Sequence, residues 1–451
     1  MWRLLSIILV FSFIDGTILR LSQVNASLSS SHQSKVPVDV ELQAGLLRGF
    51  ESIFLHKRVR SFLGVPFAEP PIGELRFLPP RLKKPWNETI EATTLASACY
   101  QGRDTYNESF WGSEMWNANT PVSEDCLYMN IWAPAEASPS LLLYDGKALA
   151  LTANAIVVNI NYRLGAFGYL YLGDSEVPGN MGMLDQQLAL YWIRENIGAF
   201  GGNPKSVTIF GESAGASSIV AHLIAPGSRS LDNRWSMDTP KRALEKSRDL
   251  AKLVGCNRTN IHDMAQFPLV IVSKDANFFT KEDAFIALRN KNFAQNVNLM
   301  IGINSDEGAF WNIYNLPKFF DHQTQPLMGI NEFNECVNTA FARLPEVIRA
   351  AAAYVYTGNN RCDYANGQHR FLADQVNQMV GDYFFTCDSL WFADQFDDSP
   401  GHVYIYYFDE PSSAIQLWTS FATTGPMHAN KRSECRIWRA AKDMEYSEYG
   451  I

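Results

Sequence analysis

The sequence predicts an α/β fold in which helices cover a mainly parallel central sheet, and three observations support this class. The chain has 451 residues, of which 47% are hydrophobic and 19% charged, a composition typical of globular proteins with a sizeable core. Short apolar runs of the kind found in buried strands alternate with longer segments of helical periodicity. No internal repeat, low-complexity tract or charge block divides the sequence, which indicates one large domain.

The predicted strands are continuous apolar runs, the pattern of strands that are buried on both faces of a sheet. The runs are AIVVNI at 155–160, SVTIF at 206–210, NLMIGI at 298–303 and VYIYYF at 403–408. Large apolar residues at helical spacing over 184–196, and the buried-helix composition of ASSIVAHLIA before Pro226, predict helices between them. Strands that alternate with helices are expected to lie parallel to one another.

The N-terminus predicts export. An apolar run from Leu4 to Ile14 ends at Asp15, which indicates a signal peptide over residues 1–16 with cleavage at about residues 16 to 24. No later stretch approaches the ~20 apolar residues of a transmembrane helix, so we expect a secreted, extracellular protein. With 38 Lys plus Arg against 47 Asp plus Glu, the net charge of -9 argues against a nucleic-acid partner.

Seven cysteines and four glycosylation sequons fit an extracellular location. The odd number leaves at least one cysteine unpaired or in an intermolecular bond. We expect no metal site and no cofactor. The Asn-x-Ser/Thr triplets predict glycosylation at Asn25, Asn87, Asn107 and Asn257.

The segment Gly211-Glu212-Ser213-Ala214-Gly215 lies between a predicted strand and a predicted helix, which is the setting of a nucleophile elbow. The flanking glycines allow the sharp turn that raises the serine hydroxyl above the sheet. The backbone N–H of Ala214, at the start of the helix, would face the oxyanion. We therefore predict that Ser213 is a nucleophile and Ala214 an oxyanion donor, with an ordinary Gly/Ser turn as the alternative.

The surroundings of this segment resemble the type B carboxylesterase and cholinesterase family over nearly all of residues 36–435, and within it the acetylcholinesterases in particular. The resemblance implies an α/β-hydrolase fold for the domain at 36–451. It also implies a serine carboxylic ester hydrolase that cleaves choline esters or other small esters. The matching stretches are GVPFAEPPIGELRF at 64–77, GSEMWN at 112–117, SEDCLYMNIW at 123–132, NYRLGAFGYL at 161–170, GNMGMLDQQLAL at 179–190, FGGNPKSVTIFGESAGA at 200–216 and INSDEGAFW at 303–311.

The resemblance implies roles for single residues. Ser213 would be acylated, and Glu307 would hold a catalytic histidine in the correct tautomer. Trp116 would bind a quaternary ammonium group on its ring face. Without the resemblance, Glu307 would be a solvated turn carboxylate and Trp116 a core residue. The other residues implied to line a choline-binding gorge are Glu212, Phe310, Tyr314 and Tyr144, with Asp104 at its rim.

The resemblance also implies two disulfides, Cys99–Cys126, around the loop that carries Trp116, and Cys387–Cys435. Each would stabilise the fold, typically by ~2–4 kcal/mol, without a catalytic role. Cys336 and Cys362 could pair with each other, which would leave Cys256 as the odd thiol.

Blocks typical of the family are missing from the chain. Between Trp132 and Leu141 only APAEASPS remains, where the family has a strand and the triple-glycine loop that supplies further oxyanion donors. A second core strand is missing after 227–230. The two missing strands flank the nucleophile strand, so 206–210 is expected to lose both of its hydrogen-bonding partners.

The loop that carries the family's catalytic histidine is a third missing block. Ala414 runs directly into IQLWTSFATTG, and none of the eight histidines precedes a glycine. His428 is the only candidate histidine that lies near the position expected from the family's chain order of Ser, Glu and His. The sequence around it, however, resembles the family's sequence after the histidine loop. His369 and His402 fit structural roles.

Two functions follow from these observations. The first is a secreted, extracellular hydrolase of the acetylcholinesterase type that is acylated at Ser213, with a synapse as one candidate location. The missing blocks are expected to reduce its activity. The second is a non-catalytic adhesion or ligand-binding relative. The retention of GESAG and Glu307 favours the first function. The chain would then be an internally truncated enzyme, either a skipped-exon isoform or the product of an incomplete gene model. The sequence does not define an oligomeric state.

Overall fold

The chain divides into two compact units, Trp2–Ala294 with Pro411–Gly425, and Gln295–Glu410 with Met1 and Pro426–Ile451. We call them the nucleophile unit and the acid unit, after Ser213 and Glu307. The computed structural model describes residues 35–54, 56–109, 111–114, 117–135, 146–174, 177–225, 237–253, 269–294, 297–321, 326–358, 369–396 and 401–408.

The main sheet of the nucleophile unit is antiparallel along its principal path. Its strands are β1 (Val36–Leu42), β2 (Gly45–Phe54), β3 (Lys57–Pro66), β7 (Tyr128–Pro134) and β8 (Val157–Ile160), in the order β1-β2-β3-β7-β8. A short strand, β4 (Ile90–Glu91), pairs in parallel with β2. This sheet therefore differs from the mainly parallel sheet that the sequence predicts. Hairpin connections join β1 to β2 and β2 to β3, and short connections of this kind produce antiparallel pairs.

Alternation of apolar and charged residues positions the hairpin strands. In β3, Val59 and Ser61 are fully buried, whereas Arg58 and Arg60 lie on the opposite face, are exposed, and each form an ion pair with Glu51 of β2. Strands with one packed and one solvated face show this pattern. The remaining strand pairs are parallel: β5 (Ala98–Cys99) with β6 (Val122–Ser123), β9 (Met237–Asp238) with β10 (Ile271–Val272), and β11 (Leu299–Asn304) with β12 (Val403–Phe408).

The predicted strand at 206–210 is not formed. Its residues are in no strand, and the Val207 and Ile209 side chains are 50% and 37% exposed. The predictions at 155–160, 298–303 and 403–408 correspond to β8, β11 and β12. An apolar run becomes a strand only where another strand satisfies its N–H and C=O groups, and none of the described strands pairs with 206–210.

Helices follow the strands in both units. In the nucleophile unit they are α1 (Trp111–Glu114), α2 (Gly146–Ala153), α3 (Gly165–Tyr169), α4 (Met181–Asn196), α5 (Ala214–His222), α6 (Pro240–Leu253) and α7 (Ala284–Arg289). Two 3₁₀ turns, Gly73–Leu75 and Ile197–Phe200, accompany them. Helices α4 and α5 correspond to the two segments of helical pattern. Among the described residues, no helix combines the length and apolar character needed to cross a bilayer.

The acid unit is mainly helical around its parallel strand pair. Its helices are α8 (Glu307–Asn315), α9 (Ile330–Ala340), α10 (Glu346–Thr357), α11 (Arg370–Gly381) and α12 (Cys387–Gln395), with a π-helical turn, Asp382–Thr386, between the last two. Buried residues of α9 and α11, including Phe333, Leu372 and Val376, form its core.

One cysteine in this core corrects the disulfide interpretation. Cys336 is buried and free, so the suggested bond between Cys336 and Cys362 is wrong. Its sulfur lies among the apolar side chains of the acid-unit core, and burial raises the pKa of the Cys336 thiol to about 12. Cys387 is disulfide-bonded, and its predicted partner, Cys435, lies outside the described residues.

Candidate active site

Ser213 occupies a strained turn at the start of α5. Its backbone angles are φ 52° and ψ -117°, and a positive φ is unfavourable for a residue with a side chain. The side chain is exposed and makes no capping hydrogen bond to the helix. An exposed serine with a positive φ at a sharp turn into a helix is the arrangement a nucleophile elbow requires.

Two glycines make this turn sterically feasible. A Cβ atom on Gly211 would lie 2.5 Å from the carbonyl carbon and 2.8 Å from the carbonyl oxygen of Gly215. Inside the turn, the Gly215 N–H donates to the Glu212 carbonyl oxygen at 2.8 Å. Because the residues before and after Ser213 approach so closely, a side chain at 211 would force the backbone apart. The contact explains why glycine occupies this position of the motif.

Ala214 supplies the backbone N–H that lies nearest in sequence to the nucleophile. It is the first residue of α5 and is buried. The first N–H groups of a helix have no intrahelical acceptor, and the helix dipole favours negative charge at this end. An oxyanion that develops at Ser213 would meet this end of the helix. The segment in which the family has its other oxyanion donors falls on 136–145, outside the described residues.

A buried polar network lies beneath the elbow. The Ser218 hydroxyl donates to the Ala214 carbonyl oxygen at 2.9 Å and accepts a hydrogen bond from Gln186 Nε2 at 3.1 Å. Gln186 Oε1 lies 3.0 Å from His222 Nε2. Tyr162 lies next to Ser218. A hydrogen bond with Ser218 acts to lower the pKa of Tyr162, but burial has the larger effect and raises this pKa to about 12. We call these four residues, Gln186, Ser218, His222 and Tyr162, the elbow network.

Sequence reasoning missed the elbow network, yet one signal was available. Ala214, Ser218 and His222 are spaced at i, i+4 and i+8, which places them on one face of α5. Polar residues on the buried face of a helix require buried partners. His222 is not a base for Ser213, because nine residues of helix separate them by about 13 Å. Burial also lowers the pKa of His222 to about 3, so the ring is neutral at physiological pH.

Glu307 begins α8 directly after β11. Its Oε1 accepts a hydrogen bond from the Asn304 N–H at 2.7 Å, which holds the carboxylate against the end of the strand. Burial raises the pKa of Glu307, and the nearby Asp306 charge adds to this effect, while the hydrogen bonds from Asn304 oppose it. Unlike a freely solvated turn carboxylate, the Glu307 side chain is half-buried and oriented.

The glycine that follows Glu307 allows close helix packing. A Cβ atom on Gly308 would lie 2.0 Å from the carbonyl oxygen of Asn377 in α11. Next to this contact, Asn312 Nδ2 donates to Asn377 Oδ1 at 2.5 Å. The Asp-Glu-Gly sequence therefore combines an acidic side chain with the close approach of α8 to α11.

Phe310 and Tyr314 share a face of α8 with Glu307. Their positions are three and seven residues after Glu307, within one helical stripe. The two rings are tilted at 51° with centroids 5.0 Å apart, and Phe310 is 49% exposed. Glu307, predicted to orient the catalytic histidine, therefore lies on the same helical stripe as two aromatic residues of the predicted gorge.

Asp104, which the family resemblance places at a gorge rim, is buried. Its Oδ1 accepts from the Tyr106 N–H at 2.8 Å, while its own N–H donates to Asn117 Oδ1 at 2.5 Å. These bonds tie together two parts of the loop that the Cys99–Cys126 disulfide closes. The disulfide implied by the family resemblance is therefore present, and Asp104 stabilises the loop inside it.

Several predicted residues remain predictions. Trp116, Tyr144 and His428 lie outside the described residues, as do the sequons at Asn25 and Asn257. Of the described sequons, Asn87 is exposed, and Asn107 Oδ1 accepts from the Ser109 hydroxyl at 2.7 Å. Within the described ranges, no group of His, Cys, Asp and Glu side chains has the arrangement of a metal site.

Comparison with known proteins relates most of the chain to esterases. The model of the carboxylesterase family matches residues 36–268 and 263–434. The chain is 43% identical over 551 residues to a Caenorhabditis briggsae protein named acetylcholinesterase 4, covering 92% of this chain and 91% of the relative. It is 34% identical over 445 residues to a mouse cholinesterase, covering 86% of this chain and 72% of the relative. It is 36% identical over 434 residues to a Bungarus fasciatus acetylcholinesterase, covering 84% and 70%.

Proposed function

The chain belongs to the carboxylesterase family, and from this premise we propose that it is a secreted serine carboxylic ester hydrolase of the acetylcholinesterase type, acylated at Ser213. The observation that carries the proposal is the strained backbone of Ser213 at the start of α5. Such strain persists only where the surrounding structure maintains it, and it is concentrated at functional sites. An ordinary Gly/Ser turn has no need of a positive φ at serine.

In the proposed reaction, the Ser213 hydroxyl oxygen forms a bond to the ester carbonyl carbon. The hydroxyl proton passes through a base to the departing choline oxygen, and water later releases the acid from the acyl-serine. The Ala214 N–H stabilises the oxyanion, and Glu307 orients the base. His428 is our candidate for this base.

The choline-binding role belongs to the same proposal. The exposed Phe310 ring and its neighbour Tyr314 offer the kind of aromatic surface on which a quaternary ammonium group binds. Trp116 would supply the principal ring face, and Glu212 and Tyr144 would complete the gorge. The family's α/β-hydrolase fold with its parallel central sheet is likewise part of the proposal.

We further propose that turnover is slow, because internal blocks of the family are missing. The alignment with the Caenorhabditis briggsae relative extends over 551 residues, which is 100 more than the length of this chain, and this supports internal gaps. One lost oxyanion donor typically raises a barrier by ~2.7–4 kcal/mol. A site whose retained elbow donor is Ala214 is therefore expected to be slow in both acylation and deacylation, because each step passes through an oxyanion.

Export and its modifications complete the proposal. Secretion after removal of residues 1–16, glycosylation at the four sequons and the Cys387–Cys435 bond all suit an extracellular enzyme. The non-catalytic alternative has one observation in its favour: the segment 206–210 before the nucleophile belongs to none of the described strands and exposes Val207 and Ile209. A binding protein would tolerate this exposure more readily than an enzyme.

Labelling with an organophosphonate probe tests the proposal. The secreted chain is incubated with the probe, and the modified peptide is identified by mass spectrometry. We expect the adduct on Ser213, no adduct in Ser213→Ala, and an unchanged adduct in Ser206→Ala, an exposed serine of the segment before the elbow. Consumption of acetylthiocholine should be at least ~10⁴-fold slower than by an intact triad. A folded protein that carries no adduct supports the non-catalytic alternative.

A further inference from the structure

We propose that Gln186 and His222 are positioning residues that hold the strained Ser213 through Ser218 and the first turn of α5. The elbow of this chain is then maintained from its helix side, by side chains that never touch the substrate. The proposal depends on the proposed function only for its catalytic consequence, because the geometry can be tested without ester hydrolysis.

The strain at Ser213 needs an anchor on at least one side. A positive φ at a residue with a side chain costs of order 1–3 kcal/mol, which neighbouring structure must offset. On the N-terminal side, 206–210 belongs to no strand and exposes Val207 and Ile209. On the C-terminal side, α5 begins immediately at Ala214, and its Ser217 N–H donates to the Ser213 carbonyl oxygen at 3.0 Å. The helix side therefore supplies hydrogen bonds that can hold the turn.

The elbow network has one consistent direction of hydrogen bonding. Gln186 Oε1 can only accept, so His222 Nε2 carries the proton and donates to it. Gln186 Nε2 then donates to Ser218 Oγ, whose single proton goes to the Ala214 carbonyl oxygen. Ser218 therefore donates to the Ala214 carbonyl oxygen and accepts from Gln186 at the same time, which restricts rotation of the peptide that follows Ala214.

The network is anchored outside α5 as well. Gln186 lies on α4 next to Asp185, whose carboxylate accepts two hydrogen bonds from the Arg163 guanidinium at 2.7 and 2.8 Å. Both members of this ion pair are almost completely buried. The ion pair fixes the position of α4 next to Arg163, and it thereby fixes the position of the Gln186 amide relative to Ser218.

His222 is held by packing rather than by a second hydrogen bond. Its ring meets Phe278 edge-on with centroids 5.5 Å apart, and its Nδ1 is buried without a hydrogen-bond partner among the described residues. An imidazole that gives only one hydrogen bond in an apolar site remains neutral, so its Nε2 proton stays available to Gln186. The donor is therefore present throughout the physiological pH range.

The experiment uses the full chain with Ser213→Cys, in which the new thiol reports the environment of the elbow. A thiol at a helix N-terminus has a pKa below its usual ~8.5, because the helix end favours the thiolate. The pKa is measured from the pH dependence of iodoacetamide alkylation, followed at this peptide by mass spectrometry. We expect His222→Leu or Gln186→Leu in this background to raise the thiol pKa by about 0.5 units.

Two further variants distinguish a positioning role of His222 and Gln186 from a general loss of structure. His222→Gln keeps a donor for Gln186 and should restore the lower thiol pKa, whereas a purely structural role would not distinguish Gln from Leu. Ser217→Ala removes a buried hydroxyl on the same helix that has no hydrogen-bond partner among the described residues, and should leave the thiol pKa unchanged. If the leucine variants do not fold, as judged by circular dichroism, Ser218→Ala makes the same test with a smaller change.

The proposal is overturned if the thiol pKa in a folded leucine variant, or in Ser218→Ala, equals that of the Ser213→Cys parent. It is also overturned if His222→Gln behaves as His222→Leu does. Alkylation requires no esterase chemistry, so these outcomes are independent of the organophosphonate experiment. Absence of the phosphonate adduct would contradict the proposed function and leave the thiol measurement interpretable.

Discussion

The elbow in the nucleophile unit and the Glu307 turn in the acid unit have the same design but different support. In both, an apolar segment leads into a helix, a functional side chain lies at the start of that helix, and a glycine permits a close backbone contact. Glu307 follows β11, which pairs with β12 over the whole of Leu299–Asn304. Ser213 follows 206–210, which pairs with none of the described strands. A turn motif can therefore persist after its strand is lost, provided that the helix side holds it.

The largest expected difference between the two regions concerns their apolar segments. Ile303 in β11 is 5% exposed, so Ile303→Ala should lower the free energy of unfolding of the acid unit by about 2–5 kcal/mol. Ile209, in the segment that pairs with none of the described strands, is 37% exposed, and Ile209→Ala should lower the free energy of unfolding by under about 1 kcal/mol. Urea unfolding of each variant measures both values. Equal losses would mean that 206–210 is packed as a strand in solution.

A second, smaller difference between the two regions concerns the stability lost when Gly308 or Gly211 is replaced by alanine. Gly308→Ala places a methyl group against the Asn377 carbonyl oxygen in a packed helix pair, and should lower the free energy of unfolding by about 1–3 kcal/mol. Gly211→Ala meets the Gly215 backbone, but the exposed segment before it can shift. We therefore expect a smaller loss of stability and a marked loss of Ser213 labelling.

Gly198→Ala is the matched control for both glycine variants, because outside its own turn its Cβ would have no atom of a described residue within 4 Å. Its unfolding curve and its labelling should match those of the parent. The comparison between the regions fails if Gly211→Ala destabilises the chain as much as Gly308→Ala while leaving the label on Ser213.

Mild acid should affect the two regions in opposite directions. The pKa of His222 is lowered to about 3 in the folded state from its ordinary 6.5, so the unfolded chain binds the proton first. The contribution of neutral His222 to the free energy of unfolding is fully present above about pH 6.5 and is lost as the pH falls towards 3. The loss between pH 6.5 and 5.5 is about 1 kcal/mol. The pKa of Glu307 is raised, so its protonation favours the folded acid unit as the pH falls.

Urea unfolding of the nucleophile unit at several pH values checks the sign and size of the His222 effect. His222→Gln, which cannot titrate, should flatten the slope between about pH 6.5 and 5.5. An unchanged slope in this variant would show that another group controls the response to acid.

Local contacts explain what the sequence by itself determined about this protein. The contact between Gly211 and Gly215 joins residues four positions apart, so the motif alone is sufficient to indicate the sharp turn at Ser213. The stripe of Glu307, Phe310 and Tyr314 follows in the same way from helical spacing. The carboxylesterase family was identifiable because its motifs are continuous stretches of sequence.

The tertiary structure alone decided the features that depend on distant segments. Whether SVTIF becomes a strand depends on neighbours that come from elsewhere in the chain, and the described structure provides none. The antiparallel order of the main sheet, the free thiol of Cys336 and the burial of Asp104 likewise follow from which elements meet. The elbow network joins α4 to α5 through Gln186 and Ser218, which are 32 residues apart. Hydrogen bonds between such distant residues have no periodicity in the sequence, because packing creates them.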